Sequence, residues 1–150
     1  MDNLQGKSMD GAKQVFISYS GINHFEASLL QYAVESKLKR FNVKAWTYKR
    51  DQALDERDIA QSLKARVKES IASLFIISPE SMENGQTQWV ELGYSDAFDI
   101  KTFILLHRIK YSDLQAGESK APPLLVSSQC SPASKWEDII LSLETLIEGE

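Results

Sequence analysis

Apolar positions along the chain fall into two patterns, compact runs and spaced stripes, and these predict different elements. VFISYS, Val15 to Ser20, is a run rich in β-branched and aromatic residues that Gly21 ends, as in a buried strand. From about Asn23 to Phe41 the residues Phe25, Leu29, Ala33 and Leu30, Val34, Leu38, Phe41 recur three or four apart among charged neighbours. That spacing predicts a helix, with Asn23 as its N-cap and Asn42 as its stop. VKAWTY, Val43 to Tyr48, alternates like a half-buried strand near a sheet edge. The charged stretch Lys49 to Asp58 leads into a second helix striped by Ile59, Leu63, Val67 and Ile71, with Asp55 as its cap. SLFIIS, Ser73 to Ser78, is almost wholly apolar and is bounded by Pro79, the pattern of a central parallel strand covered on both faces.

The second half continues the alternation. Pro79 to Gln86 reads as a loop, and Thr87 to Asp99 as a third, short helix with Glu91 in its first turns. TFILLHR, Thr102 to Arg108, predicts another buried strand; Lys110 to Pro123 a long surface loop; and Leu124 to Val126 a short fifth strand. After Pro132 a last helix turns Trp136, Ile139, Ile140, Leu143, Leu146 and Ile147 inward. Such alternation predicts an α/β fold, a doubly wound sheet of about five parallel strands with helices on both faces. Right-handed crossovers favour the flavodoxin-like order 2-1-3-4-5, which places a ligand at the carboxyl ends of the strands, beside the switch point between strands 1 and 3. The residues at those ends are Ser18 to Asn23, Trp46 to Asp51 and Ser78 to Glu91.

Composition acts mainly by exclusion. A chain of 150 residues, 43% of them hydrophobic, suits one domain, here residues 14–150 behind a flexible polar leader, 1–13. One cysteine and two histidines cannot build a disulfide framework or a Cys/His zinc site, so a reducing, cytoplasmic setting is expected. The leader lacks the apolar core of a signal peptide and no apolar run is long enough for a membrane span, so a soluble protein with no membrane partner is expected. Seventeen Lys+Arg against 21 Asp+Glu give a net charge of −4, which argues against nucleic acid as partner. GxGxxG and GxxxxGK[ST] are absent, against a Rossmann oxidoreductase or a P-loop nucleotidase, and GxSxG and HExxH are absent too. Cys130 lies far along the chain from either histidine and reads as an inert thiol.

What the strand ends retain is the hydroxyls of Ser18 and Ser20, the aromatic Trp46, the charges of Arg50 and Asp51, and the Trp89/Glu91 pair. This set suits a ribose-containing nucleotide. A carboxylate in a cleft accepts ribose hydroxyls or stabilises the cation that forms as a glycosidic bond breaks, and aromatic faces sandwich a base. Structural alternatives stand beside this reading. Glu91 near a helix start gains roughly 0.3–1 kcal/mol from the helix dipole alone. Trp46 suits a core, and Trp89, two residues and so about 200° from Glu91 on a helix, suits packing.

VFISYS resembles the first motif of Toll/interleukin-1 receptor (TIR) domains. WTYKRDQALDERDIAQSLKARVKESIASLFIISPES is similar to their second strand, acidic BB loop, second helix and third strand. TQWVELGYSDAF resembles the W…E-[LIC]-G-[YA] segment of bacterial members, and the match runs from about residue 14 to 148. The resemblance implies the flavodoxin-like sheet reached above and two candidate functions. One is NAD+ glycohydrolase or cyclase activity, releasing nicotinamide and linear or cyclic ADP-ribose as a signal in bacterial immune or antiphage signalling. The other is a non-catalytic assembly or adaptor module. For the enzyme, the resemblance implies Glu91 as the catalytic carboxylate and a substrate pocket of Ser18, Ser20, Trp46, Arg50, Asp51 and Trp89. It implies no cofactor and no metal, NAD+ being the substrate. The partners it implies are other TIR domains, through an activating self-association, and a sensor or effector protein. Two departures stand out: Trp89 lies two residues before Glu91 rather than about four, and the loop after Trp46 lacks the glycine and proline common in animal signalling members.

Overall fold

A computed structural model of the chain describes residues 12–47, 59–117 and 119–149. Its elements run β1 (Lys13–Ser18), α1 (His24–Lys37), β2 (Val43–Thr47), α2 (Ile59–Lys68), β3 (Ala72–Ile77), α3 (Pro79–Asn84), α4 (Gln86–Ala97), β4 (Lys101–Leu106), α5 (Tyr111–Gln115), α6 (Pro123–Val126), β5 (Cys130–Pro132) and α7 (Trp136–Glu148). The five strands form one parallel sheet in the order β2-β1-β3-β4-β5. This is the flavodoxin-like order. β3, buried at every position, lies at the centre, as its unbroken apolar run requires.

Alternation along each strand divides the core between two faces. Val15, Ile17, Leu74 and Leu105 pack against α1 and α7, through Leu30, Val34, Ile140 and Leu143. Phe16 and Trp46 face α2, through Leu63 and Val67, while Phe75, Ile77 and Ile104 face Leu92 of α4 and Leu125 of α6. Ser18 follows Phe16 at the period of two and so faces α4. Asn42, at φ 57°, takes the left-handed conformation that ends the first helical segment, where the sequence placed its stop.

Several expectations need correction. Pro79–Asn84 is a helix rather than a loop, because Ser78 and Ser81 form a reciprocal capping box and Pro79 occupies the first turn, where its missing N–H costs nothing. Leu124–Val126 belongs to α6 rather than to a fifth strand. Pro123 starts a helical turn there, and the strand that pairs with β4 is Cys130–Pro132. Tyr111–Gln115 is helical within the expected loop. The first helix ends at Lys37, and of its two apolar rows the one with Leu30, Val34 and Leu38 turns inward, with Phe41 beyond the helix packed partly buried on the same core, whereas Phe25 and Leu29 are exposed. β1 starts at Lys13, within the expected leader, whose residues 1–11 lie outside the described residues, as does the whole charged stretch Lys49 to Asp58, Asp55 included. Among the described residues no helix is long and apolar enough to cross a membrane.

Candidate active site at the switch point

β1 is flanked by β2 on one side and β3 on the other, so the chain reverses its direction of winding between β1 and β3. In open α/β sheets this switch point, outside the carboxyl ends of the strands, is the general place for a ligand. Polar side chains gather there. Ser18, the last residue of β1, donates its hydroxyl proton to Glu91 Oε1 of α4 at 2.6 Å, and both are buried, at 2% and 6% exposure. Burial holds the Glu91 pKa up at about 7, against a lowering pull from the Ser18 hydrogen bond. Nearby, Ser78 donates to Asn23 Oδ1 at 2.7 Å, tying the turn after β1 to the end of β3.

Sequence reasoning missed this second link, along with the polar face of α4. Gln88, Glu91 and Ser95 are all buried with Leu92 on that helix. Gln88 Nε2 donates to the Ile76 carbonyl at 3.0 Å, and Ser95 Oγ donates to Ser73 Oγ at 2.9 Å. Their three- and four-residue spacing in the sequence was the available signal. Asn23 sits at the start of α1 without capping it, because its side chain serves Ser78 instead.

The remaining expected site residues are distributed unevenly. The strand ends at Ser18, so Ser20 is no longer fixed to Ser18's side by strand alternation. It is half-buried and its carbonyl closes the short turn to Asn23. Tyr19 packs on the opposite face, towards the α1 and α7 core. Trp46 is a core residue in this arrangement, 5% exposed and stacked on Phe16 at 5.3 Å between ring centres, with the Arg66 guanidinium carbon 5.8 Å from its ring centre. Trp89 lies on the same helix as Glu91 but packs with the Phe75, Ile77 and Leu92 cluster, its ring lying over Gly85. Arg50 and Asp51 lie outside the described residues.

No described group of three or more His, Cys, Asp or Glu side chains converges to hold a metal ion. A hollow of about 370 Å³ lies on the other face of the sheet, between α1 and α7, with Leu30, Leu105 and Trp136 in its walls and the Glu26/His107 pair, 3.0 Å apart, beside them. The sheet separates it from Glu91. Chemically, the switch point offers one enclosed carboxyl that ionises near neutrality, a hydroxyl bound to it, and no paired cation among the described residues.

No family model matches the sequence, and no curated protein is significantly similar to it. Solved structures are similar in fold. A metazoan TIR-STING receptor from C. gigas in complex with 2',3'-cGAMP is 18% identical with a TM-score of 0.63, over 85% of this chain and 38% of that one. A prokaryotic SEFIR domain is 16% identical with a TM-score of 0.57, over 89% and 91% of the two chains. The TIR domains of the activated Roq1 resistosome directly recognizing the pathogen effector XopQ are 12% identical with a TM-score of 0.55, over 90% and 79%. The chain therefore spans well under half of the TIR-STING receptor. Its fold is that of a TIR-like domain.

Proposed function

We propose that the chain cleaves NAD+ at the nicotinamide–ribose bond, as a glycohydrolase or cyclase that yields nicotinamide and linear or cyclic ADP-ribose as a signal. The observation that carries this reading is Glu91: a carboxyl enclosed at the carboxyl end of a parallel sheet, at its switch point, bound by a hydroxyl and with no cation paired to it among the described residues. Nicotinamide leaves NAD+ as a neutral molecule, taking the bonding electron pair onto its ring nitrogen, so departure needs no general acid. Positive charge then builds on the ribose ring. One ionised carboxylate against that ring stabilises it, and the enclosure strengthens the attraction by excluding water. Water, or a nucleophile of the same ADP-ribose, completes the reaction at the anomeric carbon. Ser20, Arg50 and Asp51 belong to the proposed pocket. In the described arrangement Trp46 and Trp89 support it by packing.

Self-association belongs to the same proposal. Ile22, Phe25, Leu29 and Tyr32, three or four residues apart along α1 and the turn before it, are each more than half exposed and form an apolar row open to a second copy. One structural neighbour is a resistosome that recognises a pathogen effector, which supports an assembly-dependent role in immune signalling. That row also favours the second reading, a non-catalytic assembly module. Following nicotinamide release from NAD+ by concentrated protein, with Glu91→Ala alongside, separates the two. Release by the wild type and none by the variant supports catalysis. No release, even when copies are forced together, leaves the assembly module.

A further inference from the structure

Helix α4 turns a polar seam to the sheet, and Glu91 stands in its middle. Three residues before it Gln88 bonds the Ile76 carbonyl, and four residues after it Ser95 bonds Ser73, both on β3. Sliding the helix along the strand would break two buried hydrogen bonds, so the backbone of Glu91 is held on either side by a turn of helix. Glu91 itself bonds across to β1. Its partner is Ser18, 73 residues away in sequence, and the bond to Oε1 is short, 2.6 Å.

The two carboxyl oxygens are unequal. Oε1 is engaged by Ser18, while Oε2 has no hydrogen bond among the described residues. Enclosed polar side-chain atoms without a partner among those residues are Trp46 Nε1 and Gln88 Oε1. Oε2 is not one of them, and Glu91 as a whole keeps 6% of its surface exposed. A serine hydroxyl has one proton to give. With that proton directed at Glu91, Ser18 cannot also donate to a sugar. A donor to a carboxylate favours its ionised form, and burial opposes ionisation. We propose that Ser18 is a positioning residue rather than a sugar-binding one: its hydroxyl fixes the Glu91 side chain and favours its ionised form, and so leaves Oε2 as the oxygen presented to the ribose. The inference rests on the reading of Glu91 as the catalytic carboxylate.

The test uses the full chain, labelled with ¹³C at glutamate carboxyls, with the Glu91 resonance assigned by its loss in Glu91→Gln. Carboxyl titrations by NMR and pH profiles of kcat and KM for NAD+ are compared for the wild type, Ser18→Ala, Ser18→Cys and Ser18→Thr. In Ser18→Ala the Glu91 midpoint should rise by about one unit, and the acid limb of kcat should move with it. At pH 7 kcat should fall about fivefold while KM changes less than about twofold. Ser18→Thr, which keeps the hydroxyl, should lie near the wild type. Ser18→Cys, with a weak donor, should lie between. An unmoved midpoint in Ser18→Ala overturns the proposal, and so does a raised KM with the pH profile in place, which would mark a substrate contact. If Ser18→Ala does not fold, the Ser18→Cys titration decides in the same way. If the wild type releases no nicotinamide, the proposed activity fails while the titration still judges the coupling of Ser18 to Glu91.

Discussion

A buried carboxyl that accepts a single hydrogen bond sets protonation against folding. Burial raises the Glu91 pKa from 4.5 to about 7, so the native state binds this proton more tightly than the unfolded chain. The resulting stability is complete below about 4.5 and is lost as pH rises through about 7. A difference of about 2.5 units corresponds to about 3 kcal/mol. Glu91→Gln keeps the volume and the acceptor for Ser18 but has no charge to desolvate. It should therefore be more stable than the wild type at pH 8, by up to about 3 kcal/mol in urea unfolding, and close to it at pH 4.5. The same substitution should abolish nicotinamide release. A variant less stable at pH 8 would instead mean that the fold favours the ionised carboxylate. On the proposed mechanism only the ionised form serves the ribose cation, so turnover of the wild type should fall about tenfold for each pH unit below about 6. Sequence pattern alone placed Glu91 on a helix after the third strand and left its purpose open. Its partner Ser18 is distant along the chain, and no periodicity connects the two.

At the scale of elements, the corner between β3 and α4 carries the packing that presents Glu91. Ser78 caps α3 and also donates to the buried Asn23 Oδ1. Ser78→Ala should cost about 2 kcal/mol in thermal or urea unfolding, about half from the lost cap and half from the unpaired buried acceptor. Gly85, between α3 and α4, has no room for a side chain. A Cβ there would lie 2.2 Å from the Ser81 carbonyl oxygen and 2.6 Å from the Trp89 ring. Gly85→Ala should therefore destabilise the fold by about 1–3 kcal/mol, read as a lowered Tm. If its stability is unchanged, Trp89 is not packed over this corner. These details explain what the sequence hid. PESMENG has the composition of a loop, and the reciprocal Ser78/Ser81 bonds, with Pro79 in the first turn, favour the helix it forms. Leu124 and Leu125 read as strand residues until Pro123 is seen to start a helical turn, and β5 has only three residues, too few for a hydrophobic period. Trp89 and Glu91 share one helix but have different surroundings, Trp89 packing on the Phe75, Ile77 and Leu92 cluster and Glu91 bonding to Ser18.

For the whole molecule, strand order was legible because β1, β3 and β4 carry apolar runs and the crossovers between the first four strands each include a helix with an apolar stripe, while β4 and β5 are joined by the short helices α5 and α6. The orientation of α1 was less legible. Its sequence carries two apolar rows, and a helix lying on a sheet buries only one side. Packing against β2 and α7 selects Leu30, Val34 and Leu38, assisted by Gln31, which donates to the Ala45 carbonyl at 2.7 Å. The row of Ile22, Phe25, Leu29 and Tyr32 is left facing solvent, and exposed apolar side chains in register along a helix are an unfavourable surface for a lone domain. If a second copy covers them, association and catalysis should rise together. Nicotinamide release per mole of protein should increase with concentration in the wild type, in step with the weight-average mass from sedimentation. Phe25→Ser with Leu29→Ser should flatten both curves. Unfolding free energy should move by less than about 0.5 kcal/mol per substitution, because these exposed side chains leave little core to lose. If the double variant associates as the wild type does, this face of α1 is not the contact, and the surface that brings copies together must be sought elsewhere on the domain.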